Sequence, residues 1–268
     1  GPSGSAASDL RAWTTHAVMA GFHESAAAGS LSLGDEARSQ HSDVEAEAQY
    51  TAALRHCADG LLHSRQLALS GRAQARMRLQ RFRDAQSDLQ AARRVAQLRA
   101  DVEGETNLVL QEAMVCDWLE DVDAAQQLVL DARGKVDAID SAETRVRVDL
   151  AVGRSMVREG RYVESAIWLG DVAADAREVG DHESEIIAMM MQASALCLCA
   201  SLDRSEEVFA QALSMASLRF DPLHRAAIYI NRVLLWIRKG EPNKALDDLR
   251  SAVQLARFQG HAQLERWA

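Results

Sequence analysis

Residues 143–180 read ETRVRVDLAVGRSMVREGRYVESAIWLGDVAADAREVG, and they spell out two helices and the turn between them. The first helix spans about Glu143 to Arg158, with apolar Val146, Leu150, Val152, Met156 and Val157 on it. Glu159-Gly160-Arg161 turns the chain, and Gly160 supplies the positive φ that a helix end often requires. A second helix follows from about Tyr162 to Val179, with Ala173, Ala174 and Ala176 on its packing face, and Gly180-Asp181 ends it.

The same unit recurs by subtraction. Steps of 40 residues link Ala85, Ala125, Ser165, Ser205 and Ala245, all small. Four residues later stand Leu89, Val129, Leu169, Phe209 and Leu249, and twelve residues earlier Ala73, Ala113, Gly153, Ala193 and Val233. A fixed period of this length marks a stacked array in which each helical hairpin buries its apolar face on the next. The small residues let helices approach closely while larger neighbours interlock. The punctuation repeats too. Asp221-Pro222 opens a helix, Lys239-Gly240-Glu241-Pro242 makes a turn, and Gly104 and Gly260 mark inter-unit loops. The turn Leu119-Glu120-Asp121 has no glycine.

Composition agrees with an all-helical chain: three prolines, 5 % aromatics, 48 % hydrophobic and 26 % charged residues in 268. The net charge is −9, and no Lys/Arg-rich block stands out, which argues against a nucleic-acid or anionic-membrane surface. The longest apolar stretch, Ile186 to Ala200, is too short to span a bilayer and is interrupted by Gln192 and Ser194. Cys57, Cys116, Cys197 and Cys199 show no CxxC spacing and read as small hydrophobes kept reduced in a cytoplasm.

These features predict an all-α, right-handed superhelical solenoid of antiparallel helix pairs. Gly1-Pro2-Ser3-Gly4-Ser5 reads as a cleavage remnant and linker outside the fold. Residues 6–60 form a degenerate capping unit, with a helix over 9–29 around Leu10, Trp13, Val18 and Phe22, another over 43–59, and a loop over Gly29–Ser39. Five hairpins occupy 61–260, and 261–268 begin a further helix, as in a fragment of a larger protein.

The pattern resembles the tetratricopeptide repeat superfamily over about residues 62–260. The family's small first-helix residue matches Ala73, Ala113, Gly153 and Ala193. Its Gly-x-Tyr-x-x-small turn matches Gly160, Tyr162 and Ser165. The period is longer than the family's standard of about 34 residues, and the proline that closes its unit is absent. The longer form is similar to arrays in bacterial signalling regulators, including STAND-type ATPases, multidomain Ser/Thr kinases and quorum-peptide receptors. HEAT-type arrays are the structural alternative.

The resemblance implies a partner groove lined by the first helix of each unit. Carried onto this register, it selects Asn107, Leu110, Met114, Trp118, Arg147, Leu150, Arg154, Arg158, Met190, Met191, Asn231 and Arg238. Arginine pairs bidentately with carboxylates and methionine adapts to irregular apolar surfaces, so these residues suit an acidic and apolar peptide, one from the same parent protein included. The opposing reading makes the arginines solvated surface residues and the methionines core. The family's carboxylate-clamp pattern finds only Asn231 and Asn107, which argues against that partner.

Catalysis is not expected. The eight histidines are scattered, and no HExxH, GxSxG or phosphate-binding glycine loop occurs. No metal or cofactor is implied. Glu206-Glu207 and Asp247-Asp248 read as solvated faces of outer helices, and Trp168 as an outward-facing side chain. The expected function is a cytoplasmic protein- or peptide-binding scaffold or sensor. The alternative is an intramolecular regulator of an attached kinase or STAND-type ATPase.

Overall fold

A computed structural model describes residues 2–259, apart from 59 and 220, and among them the regular structure is entirely helical. The helices are α1 (Pro2–Met19), α2 (His23–Ser39), α3 (Asp43–His56), α4 (Leu62–Arg78), α5 (Phe82–Leu98), α6 (Val102–Trp118), α7 (Val122–Gly134), α8 (Ala142–Arg158), α9 (Tyr162–Val179), α10 (His182–Leu198), α11 (Leu202–Leu218), α12 (Pro222–Lys239) and α13 (Pro242–Gln259). A 3-10 turn, Val136–Ala138, separates α7 from α8. The chain divides into two compact bodies, one ending at Leu128 and the other starting at Val129, both within α7. The turn expected at Gly260 and the helix expected over 261–268 lie outside the described residues.

The turns explain the regular helix lengths. After α4, α6, α8, α10 and α12 the chain passes through a left-handed residue: Gln80, Glu120, Gly160, Ala200 and Gly240, with φ between 60° and 78°. Each is followed by a backbone N–H that reaches back into the last turn, as in Asp121 N to Cys116 O at 2.9 Å and Glu241 N to Trp236 O at 2.8 Å. This pairing satisfies carbonyls the helix end leaves open. Only two of these five residues are glycine, so the glycine-free turn at Glu120 closes like the others. At the opposite ends, Asp101, Ser141, Asp181 and Asp221 cap α6, α8, α10 and α12 by accepting from backbone N–H groups in the first turn.

In the second body, α8 packs on α9, α9 on α10, α10 on α11 and α11 on α12, and α12 on α13. The small residues set these distances. Ser165 and Ser205 are fully buried, and their hydroxyls donate to Gly153 O at 3.0 Å and Ala193 O at 2.7 Å. At Gly153 an added Cβ would stand 2.5 Å from Leu169 Cδ2. The core around them holds Leu169, Val172, Ile186, Met189, Phe209, Ile228 and Leu235.

The first body corrects the reading of the N-terminal region. Gly29–Ser39, expected as a loop, belongs to α2, and α1 starts at Pro2, within the stretch read as a linker. Gly29 and Gly34 do not turn the chain; they are notches. A Cβ at Gly29 would meet Thr14 Oγ1 at 2.2 Å, and one at Gly34 would meet the Tyr50 ring at 2.8 Å. The chain instead turns at Gly21, with φ 73°, leaving Phe22 outside the helix and 66 % exposed. Tyr50 is fully buried between Gly34 and Gly71, and its hydroxyl donates to Asp35 at 2.6 Å.

Two outer-helix expectations also change. Asp248 is buried, not solvated: it accepts both prongs of the Arg232 guanidinium at 2.7 and 2.6 Å and the Trp236 indole N–H at 2.7 Å. Trp168 lies half-buried against the core, its indole N–H donating to Asp149 O at 2.8 Å.

Candidate partner-binding face

In the second body α10 touches both α8 and α12, so three first helices of successive hairpins lie side by side. Arg154, Ser194 and Leu234 each stand twelve residues into their helix, and so occupy the same turn of the three neighbours. Leu234 and Ile237 on α12 are 41 % and 60 % exposed. Arg158 is exposed, while Arg154 and Met191 are half-buried. This surface combines cationic and apolar side chains within a chain whose net charge is −9.

Several residues selected from the sequence are occupied by the fold itself. Leu150 and Met190 are buried in the core and leave the candidate set. Arg147 donates to Asp181, the cap of α10, at 2.9 Å and also pairs with Glu143, so it ties α8 to the start of α10. Arg238 donates to Cys197 O at 2.5 Å and Leu198 O at 3.2 Å, placing its charge on the last carbonyls of α10. Asn231 donates to Ala227 O at 2.8 Å and lies 3.7 Å from Met190 Sδ. The methionine pair thus splits, with Met190 in the core and Met191 packed at its margin.

The first body holds the other candidates. Leu110 and Met114 are half-buried on α6, and Asn107 donates to Glu103 O at 3.2 Å. Trp118 stacks on Phe82, ring centroids 5.5 Å apart and planes 7° from parallel, and so closes the core of α4–α6. A polar chain missed in the sequence crosses three helices here: Arg38 of α2 donates to Gln74 of α4, whose amide donates to Gln111 of α6 at 3.3 Å.

Burial and neighbouring carboxylates push the Cys116 thiol up to about 11, and burial raises Cys197, so both remain protonated near neutrality. Among the described residues no three His, Cys, Asp or Glu side chains gather where a metal ion could sit. No helix among them is long and apolar enough to cross a membrane.

No protein-family model matches this sequence, and no curated protein matches it. Solved structures do match. The apo form of RapI superposes with a TM-score of 0.71 at 10 % identity, over 86 % of this chain and 83 % of its own. NprR in complex with its cognate peptide NprX gives 0.67 at 14 % identity, over 90 % and 71 %. A Rap protein complexed with competence and sporulation factor gives 0.66 at 15 % identity, over 87 % and 69 %. A tetratricopeptide repeat protein from Parabacteroides merdae ATCC 43184 gives 0.57 at 17 % identity, over 98 % of both chains. The chain has a tetratricopeptide-like helical-repeat fold.

Proposed function

We propose that the chain is a protein- or peptide-binding scaffold whose partner lies across the first helices α8, α10 and α12. The observation that carries this reading is the row of equivalent positions Arg154, Ser194 and Leu234 on three adjacent helices, which also carry Arg158, Met191 and Ile237. A peptide carrying a carboxylate and apolar side chains matches that surface, because the guanidinium fork fits a carboxylate and the exposed aliphatic groups gain by being covered. NprR, which shares the fold, was solved with its cognate peptide, which supports a peptide rather than a small molecule as ligand. Asn107, Leu110 and Met114 on α6 would form a surface of the same kind within the first body. The longer repeat resembles arrays of bacterial signalling regulators, and that resemblance supports reading the chain as the sensor or scaffold portion of such a protein, acting in the cytoplasm.

The test is a peptide selection on the purified chain, followed by titration of the recovered peptides against wild type and R154E/R158E. Binding should weaken about tenfold or more in the variant, as expected when two ion pairs become repulsive. Peptides that bind both proteins equally would show that this face is not the site.

A further inference from the structure

The whole-chain charge of −9 conceals a strong segregation along the sequence. Residues 61–100 hold nine arginines, no lysine and two aspartates, a net +7, and residues 101–128 hold eight carboxylates and no basic residue. Six of the nine arginines are used inside the first body, Arg78 against the His41 ring among them. Arg72 and Arg76 grip the buried Asp88 at 2.7 Å each, Arg81 pairs with Glu47 and Asp84, Arg93 with Glu112, and Arg99 with Asp101. Arg83 and Arg94 differ: both are exposed on α5 and form no hydrogen bond or ion pair among the described residues. They lie eleven residues apart, three helical turns, so they share one face with the exposed Ser87 and Gln90 between them. Two carboxylates that flank this helix in sequence or by hydrogen bond are already committed: Asp84 to Arg81, whose hydrogen bond holds it below the usual carboxylate range, and Glu112 to Gln90 and Arg93.

We propose that this outer face of α5 is a docking surface for an acidic polypeptide segment, separate from the face of α8, α10 and α12. Eleven residues of helix separate the two guanidinium groups by about 16 Å. An extended chain covers that distance in about five residues. The fitting partner therefore carries acidic side chains about five residues apart, each taken by one arginine fork. A nucleic acid fits less well. Its phosphates form a continuous line of charge that would run from Arg83 and Arg94 onto the carboxylates of α6, to which Gln90 and Gln97 tether this face at 2.9 and 2.8 Å.

The probe is a fluorescein-labelled Gly/Ser peptide bearing glutamates five residues apart, titrated with the full chain and followed by anisotropy at low salt. Saturable binding is expected. It should weaken about tenfold in R83E/R94E, from two lost exposed ion pairs and two new like charges, and fade as salt is raised. Both side chains are exposed, so the variant should keep the wild-type circular dichroism and melting temperature. Absence of peptide binding by the wild type would overturn the proposal, as would equal binding by R83E/R94E. Displacement of the peptide by a single-stranded oligodeoxynucleotide at lower concentration than by unlabelled peptide would overturn it too. R154E/R158E should leave this titration unchanged, which separates the outcome from that of the first-helix face.

Discussion

Replacing Gly71 with alanine tests how the first body is built. The added Cβ would lie 2.4 Å from Tyr50 Cζ, 2.5 Å from Cε1 and 2.9 Å from Cε2. Ordinary carbon contacts are about 3.5–4.0 Å, so the ring would have to retreat by roughly 1 Å. It has nowhere to go, because a Cβ on the opposite wall at Gly34 would already stand 2.8 Å from the same ring, and the hydroxyl is anchored on Asp35 at 2.6 Å. Overpacking of this kind costs about 1–3 kcal/mol. Alanine returns up to about 1 kcal/mol of helix propensity, since Gly71 lies in the middle of α4. The net expectation is a loss of about 1–2 kcal/mol. In a Tyr50→Leu background the ring is gone, and Gly71→Ala should then be neutral or stabilising by up to about 1 kcal/mol. Urea unfolding of the four proteins of this cycle, followed by far-UV circular dichroism, reads the coupling directly. Equal losses from Gly71→Ala in both backgrounds would refute the idea that the glycine exists to admit the tyrosine.

Glu120, at φ 61°, occupies a left-handed turn position that glycine fills at Gly160 and Gly240. The conformation costs an L-residue about 1–2 kcal/mol and glycine's extra freedom about 0.5–1 kcal/mol, so Glu120→Gly should stabilise by about 0.5–1 kcal/mol. An unchanged or lower melting temperature would count against the turn geometry. Asp101 titrates in a known direction: burial pushes its carboxyl up, but hydrogen bonds from Gln66 and the Gly104 N–H, with Arg99 alongside, more than offset it and hold it below the usual range. A depressed folded pKa contributes stability above the unfolded value of about 3.9, lost as pH falls through the folded one. The stability gap between wild type and Asp101→Asn should therefore be full at about pH 6 and close below about pH 4. A gap that persists to about pH 2 would mean that the carboxylate charge is not what matters there.

The helical pairing was legible because spacing alone carries it: small residues at Ala85, Ser165 and Ser205 are buried where two helices meet. The degenerate N-terminal hairpin was not. Gly29 and Gly34 have the composition of a loop, and only their distance to Thr14 and Tyr50 reveals that they admit side chains from neighbouring helices. The candidate site was legible as a set of helices rather than of residues. A repeat register says which positions are equivalent, not how far each points from the core, and so Leu150, Met190 and Trp118 were drawn in beside Arg154 and Arg158. Arg238 shows a second limit: its partner is a backbone carbonyl 41 residues away, which no side-chain pattern announces. The arginine-rich block was present in the count, but a balance summed over the chain averaged it with the acidic stretch that follows.

One device appears in both bodies and indicates what the fold demands of its sequence. Asp88 is gripped by Arg72 through two hydrogen bonds and by Arg76 through a third. Asp248, 160 residues later, is gripped the same way by Arg232 and, in place of the second arginine, by the Trp236 indole N–H. At the corresponding positions between them stand Glu112 with Leu128, Val152 with Trp168, and Gln192 with Val208; the buried Glu112 instead accepts from Gln90 and Arg93, and Gln192 donates to Ala166 O at 3.1 Å. A buried ion pair of this kind is weak evidence of added stability, since a well-packed apolar pair serves as well. Its value lies in geometry, because a bidentate pair is satisfied in one register only. The fold therefore fixes that the contact be filled and its polar atoms satisfied, and leaves the chemistry free. That freedom accounts for the superposition on RapI and NprR at 10 % and 14 % identity. It also means that side chains facing away from such contacts, Arg83 and Arg94 among them, are the ones available to distinguish this chain's partners from those of its structural neighbours.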